Sequence, residues 1–158
     1  MAGLEDLYRE IILDHYRAPR NRGELDVPPA HKVEGFNPLC GDEVVLFLDV
    51  DGDTVRDLKI AGQGCSISQA STSMMSSAVK GKSVDEARRL IRAFKALMSI
   101  HESKLEGESD GDDLTSDLEG VQLGDLEALQ GVVKFPVRIK CATLAWNTLQ
   151  QALDEASA

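Results

Sequence analysis

The sequence is poor in basic charge, in long apolar runs and in cysteine, and each shortage excludes something. Lys and Arg together number 17 against 27 Asp and Glu, leaving a formal net charge of −10 over 158 residues. Phosphate backbones are held by clustered Lys and Arg, so nucleic acid is not an expected partner. No apolar stretch approaches the ~20 residues that a membrane-spanning helix needs, so no membrane partner is expected. The start of the chain, Met1-Ala2-Gly3-Leu4-Glu5-Asp6, lacks the basic-then-apolar layout of a secretory signal, which makes the cytoplasm the expected location. Cysteine occurs three times. An odd count in a reducing compartment speaks against a disulfide framework. These thiols are either inert buried groups or carry chemistry.

What is present describes an ordinary globular chain. Apolar residues make up 42% and charged residues 28%, and the length suits one domain, 1–158, with a sizeable core. The acidity is concentrated. Between Leu105 and Glu127 stand nine carboxylates and no Lys or Arg. That segment reads as a solvated loop, its sharper alternative being a docking surface for a basic patch.

Leu4, Leu7, Ile11 and Ile12 mark an amphipathic helix from Leu4 to about Arg17, ended by Pro19 and Asn21-Arg22-Gly23. His31–Phe36 reads as a short strand before the break Asn37-Pro38. Glu43–Val50 and Thr54–Ile60 flank Asp51-Gly52, the signature of an antiparallel hairpin. After Gly62-Gln63-Gly64-Cys65 the period becomes helical, with Ile67, Ala70, Met74, Met75, Ala78 and Val79 on one face. The two methionines read as core fillers. Ser83 and Glu86 form a capping box for a helix that turns Ala87, Leu90, Ile91, Phe94, Leu97 and Met98 inward. A short helical turn is expected at Asp125–Gln130, and after Pro136 a last helix buries Ala142, Ala145, Trp146, Leu149 and Leu153. The order predicts an α+β fold: an N-terminal helix, a small antiparallel sheet of about three strands, then helices packed on one face.

Each cysteine falls at a predicted change of backbone structure. Cys40 lies in Pro38-Leu39-Cys40-Gly41-Asp42, Cys65 at the strand-to-helix junction, and Cys141 in the first turns of the last helix behind Arg138 and Lys140. Helix N-termini and nearby cations favour thiolate over thiol. Thiolates suit zinc and iron–sulfur clusters, and Asp42, two residues from Cys40, can complete a four-coordinate set. Separations of 25 and 76 residues are no short-range metal signature. On the residues alone a shared metal site and three buried thiols both stand. His15, His31 and His101 are scattered and read as surface or satisfied positions. The serine-rich run Ser66–Ser77 reads as capping and small-residue packing. A cysteine-nucleophile hydrolase lacks a His partner.

Asn37-Pro38-Leu39-Cys40-Gly41-Asp42, Gly62-Gln63-Gly64-Cys65-Ser66-Ile67-Ser68 and Arg138-Ile139-Lys140-Cys141-Ala142-Thr143-Leu144-Ala145-Trp146 resemble the IscU/NifU-type iron–sulfur scaffold family, and in particular its SufU branch. Leu7-Tyr8 through Asp14-His15-Tyr16, Pro19-Arg20-Asn21 and Leu123–Gly131 carry the likeness across nearly the whole chain. The resemblance implies that Cys40, Asp42, Cys65 and Cys141 bind metal, typically zinc, and that a transient Fe–S cluster can form on the cysteines. It implies that Cys40 accepts persulfide sulfur from a SufS-like cysteine desulfurase, with Arg138 assisting, and that sulfur passes on to cluster assembly or recipient proteins. Lys140 stands where IscU-like chains carry His, and Lys134-Phe135-Pro136-Val137-Arg138 replaces their Leu-Pro-Pro-Val-Lys segment. Both departures point to SufU. The acidic stretch at about 105–123 corresponds to an insertion relative to IscU. A zinc-dependent sulfurtransferase and a non-enzymatic scaffold both remain open, with a purely structural zinc domain as a third reading.

Overall fold

A computed structural model of the chain describes residues 3–27, 30–38, 41–106, 126, 128–129 and 136–157. Cys40 and nearly all of the acidic segment lie outside the described residues. So does most of the turn expected over 125–130, although Leu126, Ala128 and Leu129 are described and belong to the core.

Helix α1 spans Gly3–Arg17, β1 His31–Asn37, β2 Asp42–Asp51, β3 Thr54–Gln63, α2 Ser66–Val79, α3 Val84–Glu106 and α4 Pro136–Ser157. The expected α+β order is present. The strands form one antiparallel sheet in the order β1-β2-β3. Its inner face presents Val33, Val44, Leu46, Leu48, Val55, Leu58 and Ile60 to the helices. α4 lies against β1 and β2, α2 against β3, α3 against α4, and α1 against α2.

The uneven alternation of Val55, Leu58 and Ile60 has a physical cause. Asp49 faces Asp57 and Val50 faces Val55, so Arg56 is an extra residue and the register shifts there. A bulge flips the parity of the strand, which lets Val55 and Leu58, three apart, both face inward. Arg56 is left on the surface, bound to Asp49 at 2.6 Å.

The inward stripes expected for α3 and α4 are buried as read, and Trp146 stacks on Phe94 with ring centroids 4.7 Å apart. Pro136 is the first residue of α4 rather than preceding it; its missing N–H costs nothing in a first turn. In α1 the stripe differs from the expected one. Leu7 is 54% exposed, whereas Tyr8, Ile11 and Ile12 pack on the core and His15 is buried beside them. Positions 8, 11, 12 and 15 share one helical face. A histidine occupies the place that apolar periodicity assigns to an aliphatic residue.

That histidine is satisfied by α2. His15 Nδ1 lies 2.8 Å from Ser73 Oγ, which also accepts the Arg20 N–H at 2.9 Å. Asn21 Nδ2 donates to Ser76 Oγ at 3.1 Å. On the other side of α2, Ser71 Oγ donates to the Ala142 carbonyl at 2.5 Å and accepts from Trp146 Nε1 at 3.3 Å. Ser71, Ser73 and Ser76 of α2 therefore bond its neighbours rather than capping its own N-terminus. No helix among the described residues is long and apolar enough to cross a membrane.

Candidate metal centre

β1, β2, α2 and α4 deliver their ends to one point. Asn37 and Asp42 are the last paired residues of the β1–β2 ladder, and Gly41 N–H returns to the Asn37 carbonyl at 2.9 Å to close the connection. Asp42 is fully buried, and a buried carboxylate demands compensation. Part of it comes from the Cys65 N–H, which donates to Asp42 Oδ1 at 2.9 Å. Asp42 Oδ2 lies 3.8 Å from Cys65 Sγ. Gly64 makes this approach feasible: a Cβ there would collide with Asp42 Oδ1.

Cys65 is itself the N-cap of α2, with φ −70° and ψ 168°. Its Sγ takes the Ser68 N–H at 3.4 Å, one of the donors that a helix start leaves free. The capping expected of the neighbouring serines is thus supplied by sulfur. Cys141 sits in the second turn of α4, fully buried, with Asn37 Nδ2 at 3.9 Å from its Sγ. Arg138, three residues before Cys141, is exposed, and its guanidinium faces both sulfurs. Charge attraction to Cys65 and a hydrogen bond that Arg138 donates to its sulfur hold the Arg138 pKa above its ordinary value, with the same two contributions toward Cys141 behind them.

One oxygen of Asp42, Cys65 Sγ and Cys141 Sγ lie within 4.8 Å of one another. Two soft sulfurs and one carboxylate form a donor set that fits zinc or iron, as soft thiolate and imidazole ligands generally do. The structure brings together three of the four residues expected to bind metal and sets Arg138 beside them. Cys40, the fourth, lies outside the described residues. His15 and His31 stand apart from this group.

The family model for the NifU-like N terminal domain matches residues 7–117, more than half of the chain. The chain belongs to the IscU/NifU-type family of iron–sulfur assembly scaffolds. Within that family it is 45% identical over 152 residues to the zinc-dependent sulfurtransferase SufU of Bacillus subtilis (strain 168), covering 96% of this chain and 92% of that protein. It is 40% identical over 153 residues to the iron–sulfur cluster assembly scaffold protein IscU of Streptococcus pyogenes serotype M1, covering 97% and 86%. A solved SUF-system scaffold from Fervidobacterium islandicum AW-1 superposes with a TM-score of 0.69 at 36% identity, over 96% of this chain and 99% of that one. An N-terminal NifU-like protein from Brucella abortus shares the fold at a TM-score of 0.77 and 20% identity, over 97% and 96%.

The contacts of two residues at this IscU/NifU-type site escaped the sequence reading. Asn37 stood there only as part of the break before Pro38, and Gly64 only as part of the Gly62-Gln63-Gly64-Cys65 junction, without its approach to Asp42. The helical spacing of Cys141, Leu144 and Thr148 offered a hint to the first, since that face of α4 must meet a strand.

Proposed function

We propose that this chain is a metal-holding sulfur acceptor of iron–sulfur cluster assembly, a single domain over residues 1–158 with an acidic insertion at about 105–123. The observation that carries the reading is the convergence of Asp42, Cys65 and Cys141 at the end of the hairpin that bears Cys40. The 45% identity to a zinc-dependent sulfurtransferase supports it.

Cys40, Asp42, Cys65 and Cys141 would hold zinc, which supplies Lewis acidity that keeps thiolates deprotonated. The chain's own residues do the rest. Arg138 offsets negative charge at the two described sulfurs and can attract an anionic persulfide. The Cys40 thiolate attacks the outer sulfur of a persulfide on a SufS-like cysteine desulfurase. A bond forms between Cys40 Sγ and that sulfur, and the S–S bond on the desulfurase breaks. The desulfurase cysteine leaves as thiolate, so no outside oxidant or reductant is consumed. The Cys40 persulfide then hands its sulfur to downstream assembly or recipient proteins in the cytoplasm.

A second reading rests on the 40% identity to an IscU scaffold: an Fe–S cluster is built directly on Cys40, Cys65 and Cys141 as cargo. Metal and sulfide analysis separates the two. Purified anaerobically, the acceptor carries about one zinc and no acid-labile sulfide; the scaffold carries iron with matching sulfide. Incubated with a persulfidated desulfurase, the wild-type chain gains one sulfur on Cys40 by mass spectrometry, and Cys40→Ala gains none. Equal sulfur uptake by Cys40→Ala refutes the acceptor reading.

A further inference from the structure

The two sulfurs on α2 and α4 belong to helices far apart in sequence, and something must hold them at a common distance. The final rung of the β1–β2 ladder is placed to do so. Asn37 and Asp42 face each other across that rung. Asp42 takes the backbone N–H of Cys65 at 2.9 Å, and Asn37 Nδ2 lies 3.9 Å from Cys141 Sγ. Both side chains are buried, Asn37 at 6% exposure. Buried amides are found hydrogen-bonded, and the Cys141 sulfur is one partner within reach of this N–H.

The packing of β1 on α4 explains how Asn37 reaches the sulfur. Val33, Gly35 and Asn37 alternate onto the inner side of the strand. At Gly35 the strand lies so close to α4 that a Cβ would collide with Thr148 Oγ1 and stand 3.3 Å from Leu144 Cδ1. Thr148, Leu144 and Cys141 follow one another at three- and four-residue spacing along a single helical face. The strand thus runs down that face, and its next inward residue after Gly35 meets Cys141.

We propose that Asn37 is a positioning residue of the metal centre: its side-chain N–H donates to Cys141 Sγ and, with Asp42 on Cys65, fixes both helix-borne sulfurs to one rung of the sheet. The proposal rests on the metal reading above. An N–H donated to a ligating thiolate orients it and withdraws electron density, and losing such an outer contact typically costs about 10–100-fold in metal affinity.

The test uses the full chain loaded with Co2+ and Zn2+. Asn37→Asp keeps the size of the side chain and presents only acceptors at neutral pH. It is expected to move the sulfur-to-Co2+ charge-transfer band to longer wavelength and to weaken Zn2+ about 10–100-fold in chelator competition. A folded Asn37→Asp chain with an unmoved band and unchanged affinity overturns this proposal and leaves the metal reading standing. A wild-type chain that takes up neither ion overturns both. The native chain gives an independent answer, even where the variant does not fold. On loading with 113Cd, one Asn37 side-chain amide proton should move downfield and couple to the metal across Cys141 Sγ. An Asn37 amide indifferent to loading overturns the proposal.

Discussion

Replacing Gly64 by alanine isolates the contact that joins Asp42 to α2. The added Cβ would collide with Asp42 Oδ1 and stand 3.0 Å from its Cγ, and Gly64 has φ +157°. Neither neighbour can yield cheaply, because Asp42 is fully buried and Cys65 is fixed as the helix cap. The Cys65 N–H to Asp42 Oδ1 bond, 2.9 Å long, must lengthen or break. A hydrogen bond to a charged group is worth about 1.5–3 kcal/mol. At 1.4 kcal/mol per decade, metal affinity should fall about 10–100-fold. The assay is zinc competition against a chromophoric chelator, with folding followed by circular dichroism. Gly52→Ala is the control. Gly52 has φ +63° with nothing within 4 Å of its added Cβ, so this variant bears backbone strain of about 1–2 kcal/mol in stability while keeping its zinc affinity. Wild-type affinity in Gly64→Ala would refute the argument that this close approach holds the carboxylate.

Two predictions concern stability. Ser73→Ala removes the hydroxyl shared by His15 Nδ1 at 2.8 Å and the Arg20 N–H at 2.9 Å. At about 2 kcal/mol lost, the thermal midpoint should fall about 4–8 °C, whereas exposed Ser77→Ala should stay within about 0.5 kcal/mol; equal midpoints would sink the claim that this bond docks α1. Ser71→Ala strips a hydrogen bond from Trp146 Nε1 and should destabilise by about 1–2 kcal/mol. Trp146→Ala should cost about 3–5 kcal/mol through the void left against Phe94. Urea titrations check both, and a smaller loss in Trp146→Ala than in Ser71→Ala would reverse the assignment.

How far the sequence could be read follows from the range of the interactions involved. α3 and α4 are legible because their apolar residues repeat locally and nothing competes with that repeat. The β2–β3 hairpin is legible from Asp51-Gly52. The α1 face was misassigned because His15 counts as polar in a periodicity argument, and its partner Ser73 lies 58 residues away. The cysteines were singled out by their positions at structural junctions. The groups that hold them depend on long-range contacts: Asp42 meets Cys65 across 23 residues, and Asn37 meets Cys141 across 104. Asn37 opens the motif that holds Cys40 and Asp42, but nothing in that motif assigns its side chain a partner on the last helix.

The hydroxyls lining α2 have a consequence for distance at the metal centre. Apolar helix faces can repack in a neighbouring groove at modest cost, because dispersion has little direction. Ser71, bonded to both the Ala142 carbonyl and Trp146 Nε1, allows α2 and α4 a single mutual setting. A slip of one turn along the axis amounts to about 5.4 Å, more than the 4.8 Å that encloses the three donor atoms. A pair of buried hydrogen bonds two turns away from Cys65 therefore acts as a gauge block, setting the gap between two sulfurs that it never touches.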